Sequence, residues 1–247
     1  MGNSRSLKIE MAPPFWAVPR KGRKWVVKPS PGPHAIERSM PLLIVLRDIL
    51  KYAETGREAR KIINEGKIKV DGRPVKDYKY PIGVMDVIEI PETGEHYRVV
   101  PYPTYYLKLH EITAEESRLK PVRIQNKTTL KGGKLQINCY GGRNILLKGD
   151  EAQKLSFKTL DTLLISLPEQ EIIEHIPFKI GNLAIITWGK NVGKVGRLVS
   201  VNRQWGWRRS IVTLEGKGGK QIQTTLDYIL ILGEEKPSIS IPGELMP

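Results

Sequence analysis

From Pro41 onward the apolar residues Leu42, Val45, Leu46, Ile49, Leu50 and Ala53 recur at three- and four-residue spacing, which predicts a helix opened by proline and interrupted at Thr55-Gly56. A second, shorter helix is predicted from about Arg57 to Glu65, closed by Gly66 in the position that commonly takes a left-handed conformation. Its residues are sorted by chemistry. Ala59, Ile62 and Ile63 fall on one face, whereas Arg57, Arg60, Lys61 and Asn64 fall on the other. After Gly66 the period drops to two. Lys67-Ile68-Lys69-Val70 reads as a strand with both lysines on one side, Asp71-Gly72 as a hairpin turn, and Arg73, Val75 and Asp86 to Ile90 as the rest of a small sheet. A helix face this polar is ordinarily a solvated one, but here Lys67, Lys69 and Arg73 continue its cationic stripe.

Further along, short strands are predicted at Tyr105 to Leu109, Val122 to Ile124, Leu135 to Cys139, Ile145 to Leu147 and Thr162 to Leu167. Turns fall at Gly132-Gly133 and Gly141-Gly142, and Thr113 to Glu116 has the capping-box pattern of a short helix. From Phe178 the alternation is clean: a strand across Gly181 to Thr187 runs into a glycine-rich turn, and later strands are predicted at Ser210 to Leu214, Gln221 to Thr225 and Tyr228 to Leu232. Lys217-Gly218-Gly219-Lys220 reads as a polar hairpin turn. Residues 1–40 show neither period. Pro13, Pro14, Pro19, Pro29, Pro31 and Pro33 block helix and interior strand, which predicts an extended arm without a core of its own. It carries Phe15, Trp16 and Trp25 among its cations. Such an arm either threads along a phosphate backbone, with rings stacked on bases, or packs its rings on the protein's own body.

Charge sharpens this picture. The 247 residues hold 40 Lys+Arg against 26 Asp+Glu, a formal net charge of +14, which points to a polyanionic partner, nucleic acid first. Divided along the chain, the excess is +6 over residues 1–40, +1 over 41–100, +2 over 101–175 and +5 over 176–247. The 23 glycines and 18 prolines suit compact modules joined by turn-rich connections rather than one large core. A lone cysteine, Cys139, excludes an intrachain disulfide framework and a multi-cysteine zinc site, and the four histidines are too scattered for a local metal motif. The most apolar run, Leu42 to Leu46, is far short of the ~20 residues of a membrane span, and the basic N-terminus lacks the apolar stretch of a secretion signal. A soluble intracellular protein without a cofactor, a small-molecule substrate or a membrane partner is therefore expected. The opening Met1-Gly2-Asn3-Ser4-Arg5-Ser6 fits a myristoylation pattern, but one short enough to recur by chance.

The turn from Trp188 to Leu198 places Gly189, Gly193 and Gly196 among Lys190, Lys194 and Arg197. It is not a nucleotide-binding P-loop: the Gly189-to-Gly193 spacing is one residue too short, and Val195 stands where the magnesium-binding Ser or Thr is needed. Arg203-Gln204-Trp205-Gly206-Trp207-Arg208-Arg209 combines two stacking rings with three phosphate ligands, or else is a hairpin with one Trp packed inward.

Gly56-Arg57-Glu58-Ala59-Arg60-Lys61-Ile62-Ile63, Gly66 to Val75 and Asp86-Val87-Ile88 together resemble the alpha-L (S-four) RNA-binding motif. The turn at Gly189 resembles a KOW motif. The order of parts is more specific than any one of them. A basic arm with Ala12-Pro13-Pro14-Phe15-Trp16 and Pro29-Ser30-Pro31-Gly32-Pro33-His34, the alpha-L motif, a middle β segment and a KOW barrel ending in Pro237 to Pro242 resembles the archaeal and eukaryotic small-subunit ribosomal protein S-four-e family. The resemblance runs from about Leu7 to Pro242 and implies an α+β multidomain fold: an extended basic arm (1–40), the alpha-L domain (41–100), a central mostly-β domain (101–175) and a KOW-type small β-barrel with tail (176–247). It also implies a cytoplasmic, non-catalytic constituent of the small ribosomal subunit, with ribosomal RNA and neighbouring ribosomal proteins as partners. The alpha-L resemblance implies RNA contacts at Arg57, Arg60, Lys61, Lys67 and Arg73, beside Lys69. Further RNA-binding candidates are Lys8, Arg20, Lys21, Arg23, Lys24 and Lys28 on the arm, and Lys190, Lys194, Arg197, Arg203, Arg208 and Arg209 in the last module. Two other users of such modules remain alternatives: an RNA-modifying enzyme, which would need a catalytic constellation that the middle segment lacks, and a KOW-type transcription-elongation factor.

Overall fold

The computed structural model describes residues 6–147, 157–204 and 210–245. Among them regular structure is mostly antiparallel strand, with one helix of nine residues.

The N-terminal segment is a tethered loop, not an extended arm. Strand β1 (Leu7–Lys8) pairs with β2 (Trp25–Val26), closing the residues between them into a loop. The Arg20 guanidinium holds it shut by donating to the carbonyls of Ile9 at 2.8 Å, Ala12 at 3.0 Å and Pro13 at 2.8 Å, beside the turn bonds that Ile9 and Pro13 accept from the Ala12 and Trp16 amides. Trp16 is buried and its Nε1 donates to the Ser39 carbonyl at 2.8 Å; Phe15 meets Trp188 edge-on at 5.7 Å. Proline prevents helix here as expected, yet burying an indole and pairing β1 with β2 stabilise a compact loop.

Strand β3 (Met40–Pro41) leads into α1 (Leu42–Ile44), which continues as a π turn over Val45–Ile49. Leu42 to Leu46 are buried on every side, so this segment is core rather than amphipathic surface. It ends at Lys51 in the left-handed region (φ 60°), with the amides of Leu50 and Tyr52 returning to the carbonyls of Val45 and Leu46. Helix α2 (Gly56–Asn64) has a complete capping box: Thr55 accepts from the Glu58 amide, and Glu58 accepts from the Thr55 amide. Its apolar residues Ala59 and Ile63 are fully buried, and Gly66 closes it at φ 74°. Strands β4 (Lys69–Val70) and β5 (Arg73–Pro74) flank the Asp71-Gly72 turn, whose positive φ angles of 52° and 75° match a hairpin. Strand β6 (Pro81–Ile82) pairs with β3; β7 (Val87–Ile90), β8 (Glu95–Tyr102) and β9 (Tyr106–Glu111) complete a sheet of order β5-β4-β7-β8-β9. This sheet runs past residue 100, so the break expected there falls within β8.

The central sheet has order β12-β11-β10-β13-β14, from β10 (Leu119–Thr129), β11 (Leu135–Cys139), β12 (Asn144–Leu147), β13 (Thr162–Ser166) and β14 (Ile172–Ile176). Strand β10 changes partner along its length, pairing with β13 over Leu119 to Arg123 and with β11 from Ile124 to Thr129, with an irregularity between Ile124 and Asn126. Pro121 sits where only β13 is paired, so its missing N–H leaves no gap in a ladder.

The last sheet has order β18-β17-β16-β15-β19, from β15 (Leu183–Ile186), β16 (Val195–Asn202), β17 (Ile211–Glu215), β18 (Gln221–Thr225) and β19 (Ile229–Gly233). Strands β15 and β19 are buried on both faces. Leu183, Ile185, Leu230 and Leu232 join the core that holds Trp16, Leu42 to Leu46, Ala59 and Ile63. Ala184, Ile186, Ile229 and Ile231 line a second core with Leu198, Val212 and Leu214. The modules therefore share apolar interior instead of being joined only by connections.

A buried charge network fastens the central sheet to this body. The Lys120 ammonium donates to Asp71 at 2.5 Å and to Asp86 at 2.6 Å, and Arg143 donates to Asp71 at 2.7 Å. His34 Nε2 lies 3.0 Å from Asp86, while the amides of Val87 and Gly83 donate to the remaining carboxylate oxygens at 3.0 and 2.8 Å. A side chain at Gly83 would place its Cβ 2.3 Å from the His34 ring, so only glycine admits this stack. Burial opposes ionisation, yet the His34 ring and the Lys120 ammonium hold the Asp86 carboxyl well below the usual carboxylate range. Burial likewise opposes the Lys120 charge, but Asp86 and Asp71 more than offset it and raise its pKa. Arg123 makes a parallel tie to the last sheet, donating to the carbonyls of Asp227 at 2.7 Å and Ile229 at 3.0 Å.

Lys120→Ala strips two buried carboxylates of their shared cation and is expected to cost about 3–5 kcal/mol in denaturant unfolding; a loss below about 1 kcal/mol would show that the network is not a structural tie. The pH dependence follows from the directions of shift. Because the folded Asp86 carboxyl lies below its unfolded value, its contribution is complete above about pH 4 and is lost as pH falls further. The raised Lys120 contributes fully below about pH 10 and less above it. Thermal melting against pH should therefore show an acid-side fall that is shallower in Asp86→Asn; equal falls in both proteins would contradict this assignment.

Candidate nucleic-acid interface

Helix α2 shows its arginines to solvent because its other face is spent on the core. Arg57, Arg60 and Lys61 are exposed, and among the described residues none of the three has an ion-pair partner. Arg60 lies over Tyr78, with its guanidinium carbon 4.5 Å from the ring centroid, which limits its freedom before any ligand arrives. Glu58 interrupts the cationic run in sequence but not in chemistry. Its carboxylate turns back to the helix start, where the Thr55 and Glu54 amides hold its pKa below the ordinary value.

The strand cations are less free. Lys67 is held 3.1 Å from both Glu65 and Glu92, and those carboxylates raise its pKa. Lys69 is half-buried opposite Glu89, whereas Arg73 is exposed beside the hairpin turn. Lys76, absent from the sequence-based candidates, is exposed and lies over Gly66 at the end of α2, extending the stripe. Its position depends on the chain returning past the hairpin, which no local pattern encodes.

On the N-terminal loop Lys8, Lys21, Arg23 and Lys24 are exposed. Arg20 is exposed too, but its guanidinium is committed to the loop's own carbonyls. Lys28 is half-buried. The three rings divide: Trp16 is core, Phe15 packs against Trp188, and Trp25 is 52% exposed with the Lys24 ammonium 5.5 Å from its ring centroid. Folding brings this loop beside the end of the first helix. Lys21, Arg23 and Trp25 line a cleft of about 630 Å³ with Arg47 and Lys51, neither of which the sequence singles out. Arg47 also approaches Gly56, so the cleft adjoins the start of α2.

In the last sheet the Gly189 turn is partly an internal joint. Trp188 faces Phe15 and Tyr106, and a side chain at Gly193 would meet the backbone of Tyr102 at 2.7 Å. Lys190 and Arg197 stay exposed, while Lys194 donates to Asn191 at 2.8 Å. Arg203 is exposed; Trp205, Trp207, Arg208 and Arg209 lie outside the described residues.

Two hairpin tips repeat one design. Leu130-Lys131-Gly132-Gly133-Lys134 and Gly216-Lys217-Gly218-Gly219-Lys220 each close with the first amide donating to the last carbonyl, at 2.8 and 2.9 Å. In both, the paired glycines take left-handed φ angles, 79° and 70° in one and 72° and 74° in the other, and in both the lysines are exposed. Among the described residues no group of three His, Cys, Asp or Glu could hold a metal, and no helix is long and apolar enough to cross a membrane.

The chain matches the RS4NT domain over residues 1–37, the S4 domain over residues 40–88 and the Ribosomal family S4e over residues 93–172. The S4 match covers the capped helix, the Asp71-Gly72 hairpin and the start of β7, the region that carries the cationic stripe. The chain is 54% identical to the small ribosomal subunit protein eS4 of Staphylothermus marinus and 52% identical to that of Aeropyrum pernix, in each case over 245 residues that cover 98% of this chain and 97% of the relative. The crystal structure of the 30S ribosomal protein S4e from Thermoplasma acidophilum is similar with a TM-score of 0.66 at 33% identity, covering 81% of this chain and 98% of that one. Near-complete coverage by these relatives, with the stripe borne on an S4 domain, means that this chain belongs to the ribosomal protein S4e family.

Proposed function

We propose that the protein is a structural constituent of the small ribosomal subunit that binds ribosomal RNA and holds its shape during assembly and translation. The observation that carries this is the exposed Arg57, Arg60 and Lys61 face on a helix whose opposite face is core, in a chain related over its full length to small-subunit proteins. The family is one of ribosomal structural proteins, not enzymes. Phosphate contacts from the stripe fix position, and RNA shape more than base identity supplies selectivity. Arg73 and Lys76 extend that grip, while Lys67 and Lys69 act through the local geometry they stabilise. The last sheet, a KOW-type module in this reading, adds a second anchoring surface through Lys190, Arg197 and Arg203, and the N-terminal loop a third through Lys8, Lys21, Arg23 and Lys24. Residence on cytoplasmic ribosomes, beside neighbouring small-subunit proteins, follows from the same assignment.

Density-gradient sedimentation of cell extract tests the assignment: stable co-migration with small subunits is expected, whereas migration as free protein or with RNA polymerase would overturn it. Replacing Arg57, Arg60 and Lys61 together by alanine should leave the melting temperature near that of the parent, because all three are exposed. The same change should lower the slope of log affinity against log salt by about three. An unchanged slope on small-subunit ribosomal RNA would remove these residues from the interface.

A further inference from the structure

The first helix ends in an unusual way. Lys51 takes φ 60°, a conformation that is strained for an L-residue and is normally given to glycine at a helix C-terminus. Its side chain is exposed, and among the described residues nothing pairs with its ammonium, so no contact within the protein explains a lysine at this position. It lines the cleft of about 630 Å³ between the N-terminal loop and the helix end, together with Lys21, Arg23 and the exposed Trp25 ring. That volume lies within the roughly 300–1,000 Å³ typical of pockets for small molecules. Two carboxylates also line it. Asp48 is already neutralised by Arg47 at 2.8 Å, and Glu54 sits at the exposed start of the capping turn. The cleft thus offers three uncommitted cations and a half-exposed aromatic ring, with the Lys24 ammonium 5.5 Å from the ring centroid. The apolar side chains of Val18 and Val26 complete its lining.

Resting on the RNA-binding assignment, we infer that this cleft takes a single unstacked nucleotide of ribosomal RNA. Its base lies on Trp25, and its flanking phosphates are held by Lys21, Arg23 and Lys51. A ring with one exposed face suits a base extruded from its helix, since every base has a π-face to offer. Lysine at this strained position supplies an ammonium to the cleft lining, where glycine would relieve the backbone and offer no charge.

The test uses the full chain and transcribed small-subunit ribosomal RNA. Lys51→Gly should melt no lower than the parent yet bind the RNA several-fold more weakly, with a salt slope smaller by about one. Trp25→Ala should bind about ten-fold more weakly and Trp25→Phe should recover most of the loss. If Lys51→Gly and Trp25→Ala both bind within about two-fold of the parent while the Arg57, Arg60 and Lys61 triple variant is impaired, the inference is overturned and the RNA-binding assignment stands. If the parent itself fails to bind, that assignment falls with it. Should Trp25→Ala not fold, the divergence of stability and affinity in Lys51→Gly decides the matter alone.

Discussion

The buried pairing of Lys120 with Asp71 and Asp86 is the constraint on which the relative placement of the modules depends. Asp71 belongs to the hairpin turn that follows the cationic helix, Asp86 to the approach to the next strand, and Lys120 to the long strand of the central sheet. An ammonium and two carboxylates withdrawn from water are costly unless every partner is in place. Arg143, His34 and the amides of Val87 and Gly83 are those partners, and they come from the central sheet, the N-terminal segment and the S4 domain. Wrong packings of these segments leave at least one buried charge without its counterpart.

Charge is used in two opposite ways in this molecule. Arg98, Arg123 and Lys120 are withdrawn into the interior and donate there to backbone carbonyls or carboxylates, so part of the basic composition is structural. Arg57, Lys61, Lys21 and Arg23 are exposed and uncommitted. Arg20 belongs to the first class although its position in the basic N-terminal segment suggests the second. Net charge counts both classes alike.

Elements whose signals are local were legible in the sequence. The capping box, the Gly66 stop and the Asp71-Gly72 turn each rest on one or two residues with a fixed geometric preference, and the helix between them sorts cleanly into apolar and cationic faces. Strands β11 and β18 were likewise delimited by turns. What was not legible depends on distant partners. Strand β10 is longer than its apolar stretch because its polar end Gln125 to Thr129 is held by the ladder to β11, not by burial. Strand β8 has Pro101 within it, tolerated because β7 pairs only as far as Arg98. The N-terminal loop reads as extended because its closing contacts are a guanidinium on carbonyls and an indole on Ser39. At the candidate interface the helix stripe could be seen in advance, while Lys51 and Lys76 depend on a strained helix end and on a chain return.

The double-sided burial of β15 and β19 has a consequence for how the chain is made. The loop that carries Ala12 and Trp16, the strand that carries Leu230 and Leu232, and the segment after it that carries Ile239 all meet in one interior. A chain emerging from its N-terminus therefore presents the S4 domain with one apolar wall missing. Contacts of such long sequence separation form slowly. The core behind the cationic helix is complete only once β15 and β19 have joined it. Until then Leu42 to Leu46, buried on every side in the folded protein, lack part of their cover.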